Sequence, residues 1–174
     1  MKKLLAIILL PFSLNAAELA PNHEFTIAKP YLGPLIPACW RHRTTGPSGT
    51  FSFLYPVLDS NGRYEAYRLT SNSSYALWFN QDKGCRIPVV GGATYKYTVR
   101  AKCNVVMGAI MERYQATTLL GFKGFSSPTV ADSKWHTTAV NVTVPLGTNN
   151  ISIGPYVAKP GVCNFGKVSL QRAP

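Results

Sequence analysis

In the closing forty residues, apolar side chains fall at every second position. Val140, Val142 and Val144 alternate with Asn141 and Thr143. Successive strand side chains point to opposite faces, so the three valines share one face of a half-buried strand. Pro145 and Gly147 end that run, and the short segments Ile151-Ser152-Ile153 and Phe165-Gly166-Lys167-Val168-Ser169-Leu170 follow. The same grammar holds upstream. Phe51, Phe53 and Tyr55 alternate with Thr50, Ser52 and Leu54, Asp59-Ser60-Asn61-Gly62 is a hairpin signal, and Glu65 to Thr70 reads as the returning strand with Tyr67 and Leu69 on one face. Tyr75 to Asn80, Tyr95 to Cys103 after the Gly91-Gly92 turn, Val105 to Glu112 and Thr117 to Phe122 complete the series. Short strands parted by Gly, Pro, Asn and Ser predict an all-β chain, an antiparallel two-sheet β-sandwich. Five prolines from Pro21 to Pro47 make the N-terminal third rich in loops.

The first residues follow another logic. Met1-Lys2-Lys3, the apolar run Leu4 to Leu10 and the segment Leu14-Asn15-Ala16-Ala17, which supplies small residues for cleavage, read as a signal peptide cleaved after Ala16 or Ala17. The run is too short to span a bilayer as a permanent helix, and no transmembrane segment is expected after it. No cysteine stands at the cleavage site, so a lipid anchor is not expected either. The compact Lys-Lys start has a bacterial look, and the product is expected to be secreted or periplasmic. Residues 1–17 are assigned to the leader and 18–174 to a single domain, long enough to bury an ordinary core.

Export bears on the four cysteines, Cys39, Cys85, Cys103 and Cys163. An even count in an oxidising compartment implies two disulfides, for which three pairings exist, and the absence of Cys-x-x-Cys argues against zinc or redox chemistry. The charge is strongly basic. The formal net charge is +11, and loss of Lys2 and Lys3 with the leader leaves +9. Such a surface favours anionic partners, with acidic polysaccharide, lipopolysaccharide and anionic lipid ahead of nucleic acid, which is not expected. Simple solubility explains the charge equally well.

Candidate binding residues come from strand faces. In Tyr95 to Cys103, the residues Lys96, Arg100 and Lys102 share a face, interrupted by Thr98, and could meet carboxylates or sulfates; a solvated face with edge lysines is the bland alternative. The chain carries 3 Trp, 9 Tyr and 8 Phe, more than a small sandwich core requires, and sugar rings pack their C–H faces on such side chains. Trp78 shares its strand face with Ala76 and Asn80, not with the apolar set, and is the preferred stacking residue. Trp40, in a loop-like Cys39-Trp40-Arg41-His42-Arg43 context, and Tyr67 follow it, with Tyr64 and Tyr114 as lesser candidates. Catalysis has little support. Asp59, Glu65, Asp82, Glu112 and Asp132 form no carboxylate-pair motif, and His23, His42 and His136 have no metal-ligand spacing, so neither catalytic nor metal residues are assigned.

The order Trp135-His136-Thr137-Thr138, alternating strand, Pro145-Leu146-Gly147-Thr148 turn, Ile-x-Ile strand and closing Phe-x-x-Val-x-Leu strand resembles the C-terminal half of jelly-roll carbohydrate-binding modules of the galactose-binding-like superfamily. Gly91 to Lys102 resembles that family's turn-then-strand segment, and Asn22-His23-Glu24-Phe25 its opening strand. The resemblance implies a jelly roll whose first and last strands are neighbours, which favours Cys39–Cys163 and Cys85–Cys103. It also implies that Trp135 is structural. Many such modules hold a structural calcium between a first-strand carboxylate and a closing-strand aspartate. Glu24 could supply the first, but Lys167 stands near the second and cannot ligate a cation. The site is expected to be absent, with Lys167 paired to Glu24, or to lie at Asp59 and Asn61; no cofactor is expected. The function implied is an exported noncatalytic module binding glycans, acidic or anionic ones foremost. The alternative is a β-sandwich that binds another protein, as a secreted virulence or accessory factor.

Overall fold

The computed structural model describes residues 17–20, 28–30, 35–44, 51–58, 60–62, 64–72, 77–126 and 130–174. The expected leader up to residue 16, Glu24 and Asp59 lie outside the described residues. The strands are β1 (Ala28–Pro30), β2 (Leu35–Pro37), β3 (Trp40–Thr44), β4 (Phe51–Leu58), β5 (Tyr64–Ser71), β6 (Leu77–Gln81), β7 (Ile87–Pro88), β8 (Thr94–Cys103), β9 (Met107–Gln115), β10 (Thr118–Ser126), β11 (Trp135–Thr143), β12 (Asn150–Val157) and β13 (Gly161–Arg172). A 3-10 turn, Lys83–Cys85, follows β6, capped by the Asp82 side chain accepting from the Lys83 amide. No helix among the described residues is long and apolar enough to cross a membrane.

Every pairing is antiparallel. Five strands run in the order β11-β8-β13-β5-β4, and a six-stranded sheet runs β10-β9-β12-β6-β3 with β7 beside β12. The inward faces follow the sequence alternation. Tyr95, Tyr97, Val99, Ala101 and Cys103 of β8 are buried, with Tyr67 and Leu69 of β5 and Val142 of β11. Opposite them lie Trp40, Met107, Ala109, Met111, Ile151, Ile153 and Val157. The expected turns are present: Gly62 links β4 to β5 at φ +74°, and Gly92 precedes β8 at φ +85°, a region where a side chain would be strained. β9 runs on to Gln115, past the expected Glu112, because its hairpin to β10 turns at Ala116, at φ +51°, and β10 continues to Ser126.

Two local departures have clear causes. Between Phe165 and Val168 the β13–β8 register slips, so that two residues on β13 oppose one on β8. This bulge turns Phe165, Val168 and Leu170 all inward, which strict alternation could not do. In the other sheet, the Ile153 amide donates to Gln81 Oε1 at 2.6 Å, so a buried side chain stands in for a strand partner.

The disulfide pairing corrects the expectation. The bridges are Cys39–Cys85 and Cys103–Cys163, with no free cysteine. Cys103 and Cys163 are directly opposed in register and both face inward. Cys39 leads into β3 and Cys85 follows β6, strands that pair from Trp40 with Gln81 onward. The closing strand lies against β8 and β5, not against β3, so the neighbour relation that favoured Cys39–Cys163 is not the one this chain uses.

Candidate functional site

Each sheet turns one face outward. On the five-stranded sheet, Lys96 is exposed and Thr98, Arg100 and Lys102 are half-buried, so the cationic stripe faces out as its alternation predicts. Its middle member is already engaged. The Arg100 guanidinium lies 3.9 Å from the centroid of the Trp135 ring and 3.7 Å from Glu65 Oε1. Arg68 beside it donates to Asn164 Oδ1. The half-buried Trp135, expected from the resemblance to be structural, thus carries an arginine on its ring. Asp132, Lys134 and His136 form a turn, in which Asp132 Oδ1 accepts from the Lys134 amide and meets His136 Nε2 at 2.9 Å. Those contacts, led by the amide, hold the Asp132 carboxyl below its ordinary pKa.

The outward face of the six-stranded sheet is built differently. Parity and register put Gly108, Ile110, Glu112 and Tyr114 of β9 on it, beside Ser152, Gly154 and Tyr156 of β12. Arg41 and Arg43 of β3 occupy the same face, opposite Asn80 and Trp78 of β6. Phe122, Gly124 and Ser126 of β10 extend it to the other edge. Glu112 is fully buried here, with Arg41 Nη2 at 2.8 Å from Oε2 and Arg43 Nε at 3.2 Å from Oε1. The two arginines stand three strand spacings from β9, roughly 14 Å on a flat sheet. That they meet Glu112 shows the sheet bowed inward on this side, and the small Ser152 and Gly154 between them leave room to cross. The Tyr114 hydroxyl donates to Glu112, and the Arg86 guanidinium covers the Tyr114 ring at 3.5 Å.

Burial alone would push the Glu112 carboxyl up. The Tyr114 hydrogen bond, the neighbouring Asn80 amide and the charges of Arg43 and Arg41 outweigh it, and the group is held below its ordinary pKa. A carboxylate so paired has no proton to donate and no free face for attack. Tyr114 is pushed the other way, first by burial and then by the neighbouring carboxylate.

At the end of this face, Val106, Gly108, Gly124, Phe125, Ser126, Tyr156 and Lys159 surround a cleft of about 520 Å³. The half-buried Tyr156 ring lies over Gly108 so closely that a Cβ there would meet it at 2.4 Å. Of the stacking candidates, Trp40 and Tyr67 need correction. Both are fully buried between the sheets and present no ring face at the surface. Tyr114 is also buried, under Arg86. Trp78 pairs in register with Arg43 and Tyr156, but its side chain, like that of Tyr64, lies outside the described residues. The residues that sequence reasoning missed are Tyr156, Gly108 and the Arg41–Glu112–Arg43 group. Their signal was present as the polar parity of Arg41 and Arg43 and the adjacent charges Glu112-Arg113 in an otherwise largely apolar β9.

Among the described residues, no group of three or more His, Cys, Asp or Glu side chains stands ready to hold a metal. Lys167, where the resemblance would put a calcium-ligating carboxylate, is an exposed cation on the bulge.

No protein-family model and no curated protein matches the chain. Solved structures do. The xylan-binding domain CBM22-1 of Paenibacillus barcinonensis Xyn10C superposes with a TM-score of 0.56 at 9% identity, over 90% of this chain and 95% of that one. A CBM4 module superposes with a TM-score of 0.54 at 14% identity, over 88% and 99%. The enzymatically active domain of bacteriophage CBA120 tailspike protein 4 reaches 0.55 at 16% identity over 78% of this chain, which spans only 20% of the tailspike's length. The chain is a β-sandwich with the jelly-roll fold of carbohydrate-binding modules.

Proposed function

We propose that the chain is an exported, noncatalytic glycan-binding module, whose ligand lies across the bowed face of the six-stranded sheet. The observation that carries this reading is the Tyr156 ring laid on Gly108 beside an open cleft. An aromatic face held flat by backbone on one side, with space on the other, is what a sugar ring packs against. Trp78, in the same row, is assigned as a second stacking residue. The jelly-roll neighbours include a xylan-binding domain, and full pairing of the cysteines suits an oxidising compartment outside the cytoplasm. The paired Glu112 supports a binding function over a hydrolytic one. The net basic charge supports a preference for anionic glycans. Glycan-array binding by the chain at physiological salt tests the proposal. Wild type is expected to bind a defined set and Tyr156→Ala to lose it, while an array without signal on acidic and neutral glycans alike refutes it.

One observation favours a second reading. β10 is an edge strand on which Leu119, Leu120 and Phe122 are 45%, 39% and 50% exposed. An exposed apolar edge is suited to pairing with a protein strand. Pull-down of one stoichiometric protein that glycans do not displace would move the assignment to this class.

A further inference from the structure

We infer that Arg41, Arg43 and Arg86 form a subsite that reads the carboxylate of an acidic sugar residue, a hexuronate, and that Glu112 is the residue that positions it. The inference rests on reading this face as a glycan platform, and it assigns ligand chemistry to a cluster otherwise without a role.

The charge count is the first argument. One carboxylate, Glu112, faces two arginines at ion-pair distance, and a third, Arg86, is held by the Tyr114 ring one residue pair away. Neutralising Glu112 requires one cation, so the cluster carries a surplus of two positive charges on a bowed face. The surplus is graded outward. The Glu112 side chain is 0% exposed, Arg41 15% and Arg43 40%, so an arriving ligand meets guanidinium and not carboxylate.

The second argument is hydrogen-bonding capacity left over. Arg41 Nε, Arg86 Nε and Ser152 Oγ are buried, with no hydrogen-bond partner among the described residues. Ser152 sits directly opposite Glu112 in register. Buried donors without acceptors are costly, and here they converge on one patch; an anionic group received as the guanidinium planes turn toward it supplies the missing acceptors. A guanidinium offers two parallel N–H groups that match the two oxygens of a planar carboxylate, and a lysine ammonium offers no such fork. The Lys96–Lys102 face of the opposite sheet lacks that arrangement, since its guanidinium groups are held by neighbours, Arg100 by Trp135 and Glu65 and Arg68 by Asn164.

The test is calorimetric titration of the full chain at 0.15 M salt with three probes: an oligogalacturonate, its carboxyl-reduced counterpart and a sulfated glycan of similar length. Wild type is expected to bind the oligogalacturonate at least roughly tenfold more tightly than the carboxyl-reduced chain, the effect of one charge-assisted contact. In Arg43→Gln and in Arg86→Gln that ratio is expected to fall toward one. Arg86 lies over the Tyr114 ring, outside the Arg41–Glu112–Arg43 group, so Arg86→Gln decides the matter if Arg43→Gln fails to fold. Equal affinity of wild type for the acidic and reduced chains overturns the subsite while leaving the platform standing. Binding of neither overturns both. Tighter binding of the sulfated glycan overturns the carboxylate assignment. Collapse of the ratio in a Lys96→Ser, Lys102→Ser variant, with Arg86→Gln unaffected, moves the anion to the other sheet and overturns the assignment.

Discussion

Glu112 and Tyr97 are both polar side chains sealed away from water, and they should respond oppositely to mutation. Glu112 is buried with partners on both oxygens. Glu112→Gln would leave two guanidinium groups facing each other without their counter-ion, and a loss of about 3–5 kcal/mol is expected in urea denaturation at pH 7. The contribution should also titrate. Because the folded-state pKa lies below the ordinary value, the folded chain favours the ionised form. The stabilisation is then complete above the unfolded carboxyl value of about 4.3 and fades as pH falls through the lower folded value. Stability curves of wild type and Glu112→Gln should therefore converge below about pH 4, and parallel curves down to pH 2 would disprove the ion pair. Tyr97 is also fully buried, its phenol pushed far above the ordinary pKa by desolvation, and its hydroxyl has no hydrogen-bond partner among the described residues. Tyr97→Phe removes an unsatisfied group and almost no volume. It is expected to leave the melting temperature unchanged or raise it, by up to about 1–3 kcal/mol in stability; a clear drop would mean that the hydroxyl has an acceptor.

At the scale of elements, Gly108 couples two strands. A methyl group there must displace the Tyr156 ring or the Phe125 carbonyl, 2.9 Å away, so Gly108→Ala should move Tyr156 and weaken glycan binding as much as Tyr156→Ala does. Retained binding with an unchanged Tyr156 environment, read by aromatic NMR shifts, would show that the ring is not the platform. The bridges make a second prediction. Non-reducing peptide maps should return Cys39 with Cys85 and Cys103 with Cys163, and removing either bridge should cost about 2–5 kcal/mol. β8, β11 and their turns were legible in the sequence because period-two alternation and φ-positive glycines are local signals. The disulfide partners were not, since they depend on which strands become neighbours, and that is decided by the packing of the whole sandwich. The β13 bulge left a trace in the uneven spacing of Phe165, Val168 and Leu170. Trp40 misled because its neighbours Arg41 and Arg43 gave it a loop-like setting, whereas they are the outward residues of the same strand. The outward facing of Lys96, Arg100 and Lys102 is legible in their alternation, but nothing in that alternation could reveal that Arg100 is occupied by Trp135.

Among the described residues, positive charge is spread over both outward faces, while Arg41, Arg43 and Arg86 gather around Glu112 and Tyr114 on one. The two arrangements should act at different stages of binding. Dispersed exposed charge raises the encounter rate with an anionic chain through its long-range field and is screened as the Debye length falls from about 10 Å at 0.1 M salt to about 3 Å at 1 M. Partly buried, geometrically fixed charge governs how long the complex lasts. Replacing Lys96 and Lys102 by Ser lowers the formal charge by two without touching the bowed face. The variant is expected to associate with an acidic glycan several-fold more slowly at low salt, with the difference vanishing near 1 M, and to dissociate at the wild-type rate. The exposed-face substitutions themselves should cost within about 0.5 kcal/mol each, so the fold is retained. Surface plasmon resonance across a salt series separates the two rates. A faster dissociation in this variant would mean that the lysines touch the bound glycan, and the division of labour between the faces would then be wrong.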